Sequence, residues 1–177
     1  MYIGFFFLIV FVQGTVMIII GSMIGLNETT ADLDDNPYMC ERMGLLVAAI
    51  GFLIETISDT QLYHFKKNTR NEGNILTTGL WKYSRHPNYF GEIVFWWGLY
   101  LMICGNMWGF TIIYSPIIIT LMIIFITGIS PVERRFIDDF DYQEYKKRTS
   151  CLIPWFPKKV QTSKVEALND DSTSNAV

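Results

Sequence analysis

The chain of 177 residues is half hydrophobic and 18% charged, with a mean hydropathy of +0.25 and a formal net charge of −3. Soluble domains carry about a quarter charged residues, so the composition points to a single membrane domain, with the lipid bilayer as partner and no nucleic acid. Three cysteines without a CxxC and only two histidines, His64 and His86, give no metal-ligand spacing, and no metal is expected.

Ile3 to Leu26 is a run without charge, broken only by Gln13. Its length, roughly 36 Å as a helix, suffices to cross a bilayer with tilt. It lacks the basic start and brevity of a signal peptide, and its Gly21 and Gly25 read as a helix-packing pair. Asn27 to Glu41 is acidic and contains no lysine or arginine. A second apolar run, 43–62, carries Glu55 and Asp59 four residues apart, hence on one helix face in its later half. A basic loop with His64, Lys66, Lys67, Arg70, Lys82 and Arg85 follows. The third run, 89–104, is aromatic, and the fourth, 111–129, is uncharged with Ser115-Pro116 near its start.

From Ser130 the chain turns amphiphilic. Ile153-Pro154-Trp155-Phe156-Pro157 reads as an interfacial aromatic anchor, and the tail 160–177 as disordered. Cys40 and Cys104 fall at the same membrane face, where two free thiols are expected over a disulfide. Of 14 lysines and arginines, 13 lie between runs two and three or after run four. By the positive-inside rule those regions and both termini are cytosolic. The expected architecture is all-α: a polytopic membrane bundle of four transmembrane helices, with an interfacial C-terminal helix within 131–157, in one domain over 1–159.

Chemistry concentrates where run two ends and run three begins. Two carboxylates stacked on one intramembrane face repel unless a cation, a proton or a ligand separates them, which marks Glu55 and Asp59 as site candidates. Lys66 extends their face into the loop, Glu92 sits one turn into run three, and Glu133 just past run four. These depths predict one polar cavity open to the cytosol. Pro87 suits the first turn of a helix, whose N-terminal dipole and unpaired N–H groups, beside Arg85 and His86, form a seat for phosphate or carboxylate. Snorkelling to water is the structural alternative for Glu92 and Glu133.

The stretch from Gly79 through Trp81, Arg85-His86-Pro87-Asn88-Tyr89 and Glu92, with Ser130-Pro131-Val132-Glu133-Arg134-Arg135, Tyr142-Gln143-Glu144-Tyr145 and Ile153-Pro154-Trp155-Phe156-Pro157, resembles the steroid 5α-reductase-like family of membrane proteins with unassigned substrates. Carried over by position, the resemblance implies a nucleotide lined by Asp59, Arg85, Asn88, Tyr89 and Glu92. Glu133, Arg134, Tyr142 and Tyr145 fall in a second cofactor-binding stretch, and Lys66 and His86 join them from the loop. It implies an NADPH-dependent oxidoreductase that reduces a carbon–carbon double bond in a lipophilic, steroid-like or isoprenoid substrate, in the endoplasmic reticulum membrane if the source is eukaryotic. Isoprenylcysteine carboxyl methyltransferase has a similar Arg-His-Pro-x-Tyr segment, so S-adenosylmethionine and methyl transfer are the alternative. A non-catalytic membrane fragment is the third, because reductase relatives carry their substrate-polarising tyrosine and glutamate in earlier spans. No residue is assigned a catalytic role.

Overall fold

The computed structural model describes residues 38–104 and 113–158. The expected first span 3–26, the turn at Gly105 and the tail 160–177 lie outside those residues. The described part is all-helical, with no strand beyond an isolated bridge between Ser84 and Ser150.

Helix α1, Tyr38–Lys67, is longer than the apolar run that announces it. It begins inside the acidic stretch and continues past the hydrocarbon segment until Asn68, whose side chain accepts from Arg70 N–H at 3.1 Å and starts a 3₁₀ turn, Thr69–Asn71. A second 3₁₀ turn, Gly79–Lys82, leads into α2, Pro87–Ile103. Proline stands at the N-terminal position of α2, where its missing N–H costs nothing. Helix α3, Tyr114–Leu121, widens into a π-helical stretch, Met122–Thr127, and breaks at Gly128. The cause is local. Pro131 has no N–H to offer the Thr127 carbonyl, and Gly128 N–H bonds Ile123 O at 3.1 Å, five residues back. Helix α4, Ile129–Arg135, and α5, Phe140–Arg148, complete the set. Asp139 caps α5 by accepting from Tyr142 N–H at 3.1 Å.

Two helical stretches, Met39–Lys67 and Tyr114–Arg135, are long and apolar enough to cross a membrane. Helix α2 has 17 residues, about 25 Å at 1.5 Å per residue, a little under the hydrocarbon thickness. The single interfacial helix expected within 131–157 is instead two short helices and an extended strap, residues 149–158, in which Pro154 and Pro157 prevent helix continuation.

Helices α1 and α2 pack at backbone contact, through glycines the sequence reading passed over. A Cβ on Gly91 would stand 2.5 Å from Glu55 N and 2.7 Å from Gly51 O, and one on Gly98 would collide with Ala48. On α1, Gly44, Ala48 and Gly51 form the opposing stripe. The other side of α2 carries the core, where Trp96, Tyr100 and Ile103 meet Ile119 and Ile123. Trp97 Nε1 donates to Thr120 Oγ1 at 3.2 Å, tying α2 to α3 through a polar contact. Cys40, Cys104 and Cys151 are free thiols, and Cys104 Sγ donates to Leu101 O at 3.2 Å.

Candidate functional site

The loop from Gly79 to His86 is held from two sides. Trp81 Nε1 donates to the carbonyl of Ser58 on α1 at 3.1 Å, and Leu80 N–H to Gln61 Oε1 at 3.0 Å. From α5, the buried Tyr145 hydroxyl donates to the carbonyls of Trp81 and Ser84. Ser84 is fully buried. Its Oγ donates to Leu152 O at 2.7 Å and accepts from His86 N–H at 3.1 Å, fixing the turn into α2.

This anchoring sets Arg85 and His86 against Glu133 of α4. Arg85, 6% exposed, donates from Nη2 to Glu133 Oε1 at 2.8 Å and from Nη1 to Lys146 O at 3.2 Å. His86 Nε2 lies 3.4 Å from the same carboxylate oxygen, and Lys146 Nζ 3.0 Å from Oε2. Burial holds the His86 imidazole below its ordinary pKa, with Glu133 pulling the other way, so the ring is neutral near pH 7. His86, Glu133 and Cys151 bring donor atoms within 4.8 Å of one another. Arg85 and Lys146 already occupy the Glu133 oxygens, however, so the cluster is an ion-pair hub, and a further cation there would face their repulsion.

In front of this hub lies a cavity of about 680 Å³, within the usual ~300–1,000 Å³ of small-molecule sites. Seven of the eleven residues singled out in the sequence line it: Lys66, Arg85, His86, Asn88, Tyr89, Tyr142 and Tyr145. Three lining side chains keep buried polar atoms without a partner: Arg85 Nε, Asn88 Oδ1 and the Tyr142 hydroxyl. Unpaired buried polar atoms are uncommon in native proteins and mark places where a ligand or water completes the hydrogen bonding. Burial pushes the Tyr142 hydroxyl up to about 12 and raises Tyr145 as well, so both remain protonated. The stacked rings of His86 and Tyr89, 5.6 Å apart, and of Phe136 and Tyr142, 4.9 Å apart, give the cavity aromatic walls.

The other four candidates stand elsewhere. Glu133 supports Arg85 and His86 from behind, and Arg134 is exposed on α4 outside the cavity. Asp59 lines a separate, shallow groove of about 400 Å³ with Glu55, Phe52, Thr56, Thr60 and Tyr63. Glu92 is an electrostatic neighbour of Glu55 and Asp59. The single polar cavity expected from matching depths is therefore two sites, because depth along a helix does not specify the face. Tyr89 stands between them, lining the cavity while feeling the charges of Glu92 and Asp59.

The cations of the basic loop and of α4 do not converge on the cavity either. Of Lys66, Lys67, Arg70, Lys82, Arg85, Arg134 and Arg135, only Lys66 and Arg85 line the cavity, and Arg85 is already neutralised by Glu133. The sequence reading also missed the wall made by Thr69, Asn71, Glu72 and Asn74 of the loop after α1. The signal for it was the spacing of Leu62, Phe65, Lys66 and Thr69, which share one helix face at i, i+3, i+4 and i+7.

Among the described residues, fold and site together define an all-helical protein with two stretches of membrane-spanning length and a cavity where α1, α2, α4 and α5 meet a clamped basic loop. The chain belongs to the family described as "Protein of unknown function (DUF1295)", which matches residues 2–149. It is 40% identical over 78 residues to methanethiol S-methyltransferase 1 of Bradyrhizobium diazoefficiens, covering 43% of this chain and 25% of that protein. It is 35% identical over 77 residues to the probable O-methyltransferase ustE of Ustilaginoidea virens, covering 44% and 26%. It is 25% identical over 129 residues to protein-S-isoprenylcysteine O-methyltransferase of Saccharomyces cerevisiae, covering 66% and 50%. The chain thus spans a quarter to a half of the length of the curated relatives it matches. No solved structure matches. The three relatives are methyltransferases, which favours the alternative reading over the reductase and leaves NADPH without support.

Proposed function

We propose that the protein is a membrane methyltransferase that uses S-adenosylmethionine to methylate a sulfur or oxygen nucleophile on a lipophilic substrate. The observation that carries this reading is the cavity whose unpartnered polar atoms, Arg85 Nε, Asn88 Oδ1 and the Tyr142 hydroxyl, surround the N-terminus of α2. That donor set fits the cofactor. Arg85 Nε–H and the first-turn N–H groups of Asn88 and Tyr89, which helix geometry leaves without intrahelical partners, suit a carboxylate. Asn88 Oδ1 suits the adjacent amino group, and the Tyr142 hydroxyl a ribose or adenine edge. The ring faces of Tyr89, Phe136 and Tyr142 suit the purine and a positively charged sulfur.

When bound, S-adenosylmethionine supplies an electrophilic methyl group on a sulfonium. Proton removal from the acceptor falls to His86 in this reading. With Nε2–H turned toward Glu133, the neutral ring carries its lone pair on Nδ1, and Glu133 stabilises the imidazolium that forms when Nδ1 takes a proton. The relatives' printed names span S- and O-methylation, so the acceptor element is left open between them.

The test is ligand-dependent thermal stability of the protein in nanodiscs. At a hundred times its dissociation constant a true ligand adds about 2.7 kcal/mol. S-adenosylmethionine and its demethylated product should both give that shift, and NADPH should give none. A shift with NADPH alone would restore the reductase, and a shift with neither would favour a non-catalytic fragment.

A further inference from the structure

We propose that the strap 149–158 is a bilayer-docking surface for an anionic leaflet, and that its docking rigidifies the Ser84–His86 wall of the cavity. The strap's backbone is committed inward. Ser150 O accepts from Arg85 N–H at 2.8 Å, Leu152 O from Ser84 Oγ at 2.7 Å, and Tyr83 O from Trp155 N–H at 2.9 Å. Its largest apolar side chains point the other way: Ile153, Trp155 and Phe156 are 64%, 69% and 77% exposed. Phe156 also meets the Tyr83 ring edge-on at 6.2 Å, and Lys82 Nζ lies 5.9 Å above that ring, so the surface extends onto the loop itself.

Charge identifies the occupant. The strap contains no carboxylate, and the exposed cations Lys82, Arg148 and Lys158 flank it, with Lys158 N–H bonded to Arg148 O at 2.9 Å. Exposed tryptophan and phenylalanine rimmed by cations suit the headgroup region of an anionic membrane, where indole keeps its polar edge wet and lysine finds lipid phosphate. Because four hydrogen bonds join strap and loop, fixing the strap at a membrane lowers the freedom of Arg85 and His86. This inference does not depend on which cofactor the cavity takes.

The experiment uses the full chain in nanodiscs of phosphatidylcholine, with and without phosphatidylserine. Quenching by lipids brominated near the headgroup, compared between wild type and Trp155→Phe, isolates the Trp155 signal. Hydrogen exchange at the Arg85 and Trp155 amides reads the coupling. The expected result is quenching of Trp155, and exchange at both amides slowed by phosphatidylserine by roughly fivefold for each cation engaged. The slowing should be absent in Lys82→Gln/Lys158→Gln, which touches neither the cavity nor the core. An unquenched Trp155 overturns the docking, and one buried by a second copy would show itself as dependence on protein concentration. Quenching with exchange that ignores phosphatidylserine overturns the coupling.

Discussion

Replacing Glu133 by glutamine removes one charge and keeps the side-chain shape. In the native protein its Oε1 takes Arg85 Nη2 at 2.8 Å and faces His86 Nε2 at 3.4 Å, while Oε2 takes Lys146 Nζ at 3.0 Å. Lys146 is half exposed, so its share is under ~1 kcal/mol. Arg85 is buried and would keep only neutral acceptors, the Lys146 carbonyl and the glutamine amide oxygen, with no charge to balance its own. Leaving a buried charge without its partner costs about 3–5 kcal/mol, and the carboxylate's residual contact with solvent argues for the lower end, about 3. For a chain of this size that corresponds to a fall in Tm of roughly 6–12 °C. Differential scanning fluorimetry in one detergent would compare Glu133→Gln with Lys146→Gln, whose loss should stay below roughly 4 °C. The double variant Arg85→Met/Glu133→Leu should recover much of the loss, since no charge is then stranded. A Glu133→Gln shift no larger than that of Lys146→Gln would refute the reasoning that Glu133 neutralises Arg85.

Gly91→Ala forces a Cβ to within 2.5 Å of Glu55 N and should destabilise the α1–α2 pair by about 1–3 kcal/mol, read by thermal unfolding. Tyr142→Phe removes a buried hydroxyl that has no partner, so stability should hold or rise, while S-adenosylmethionine affinity measured by calorimetry should fall by about 0.5–1.5 kcal/mol. The His86 pKa is lowered by folding, so the unfolded chain binds more protons between the folded value and about 6.5. Its contribution is complete above that range and is lost as pH falls through it. Tm should therefore drop on acidification below about pH 6.5, and His86→Gln should flatten that slope. An unchanged slope would assign it to other groups.

The helices were legible because hydrophobic runs of 16 to 20 residues leave few alternatives, and Pro87 opens its helix in the expected way. The grouping of the loop residues was legible too, since Arg85, His86, Asn88 and Tyr89 reach the cavity through their place at one helix N-terminus. What failed was sidedness. Asp59 and Glu92 share a depth with Arg85, yet the glycine contact between α1 and α2 rotates them onto another face. That rotation depends on Gly44, Gly51, Gly91 and Gly98 acting as pairs across two helices, which one helix's periodicity does not express. Glu133 was found by depth, but a sequence does not say that Arg85 turns its charge inward to meet it. The strap's extended course was not legible, because it is set by hydrogen bonds to a residue 67 and 68 positions away.

Equilibrium binding of S-adenosylmethionine and NADPH to the protein in nanodiscs tests the methyltransferase reading most directly, with Asn88→Ala and Tyr142→Phe as site controls. Saturable binding of S-adenosylmethionine, weakened by each substitution, and no measurable binding of NADPH are expected. Tight NADPH binding that ignores both substitutions, with none by S-adenosylmethionine, would contradict that reading.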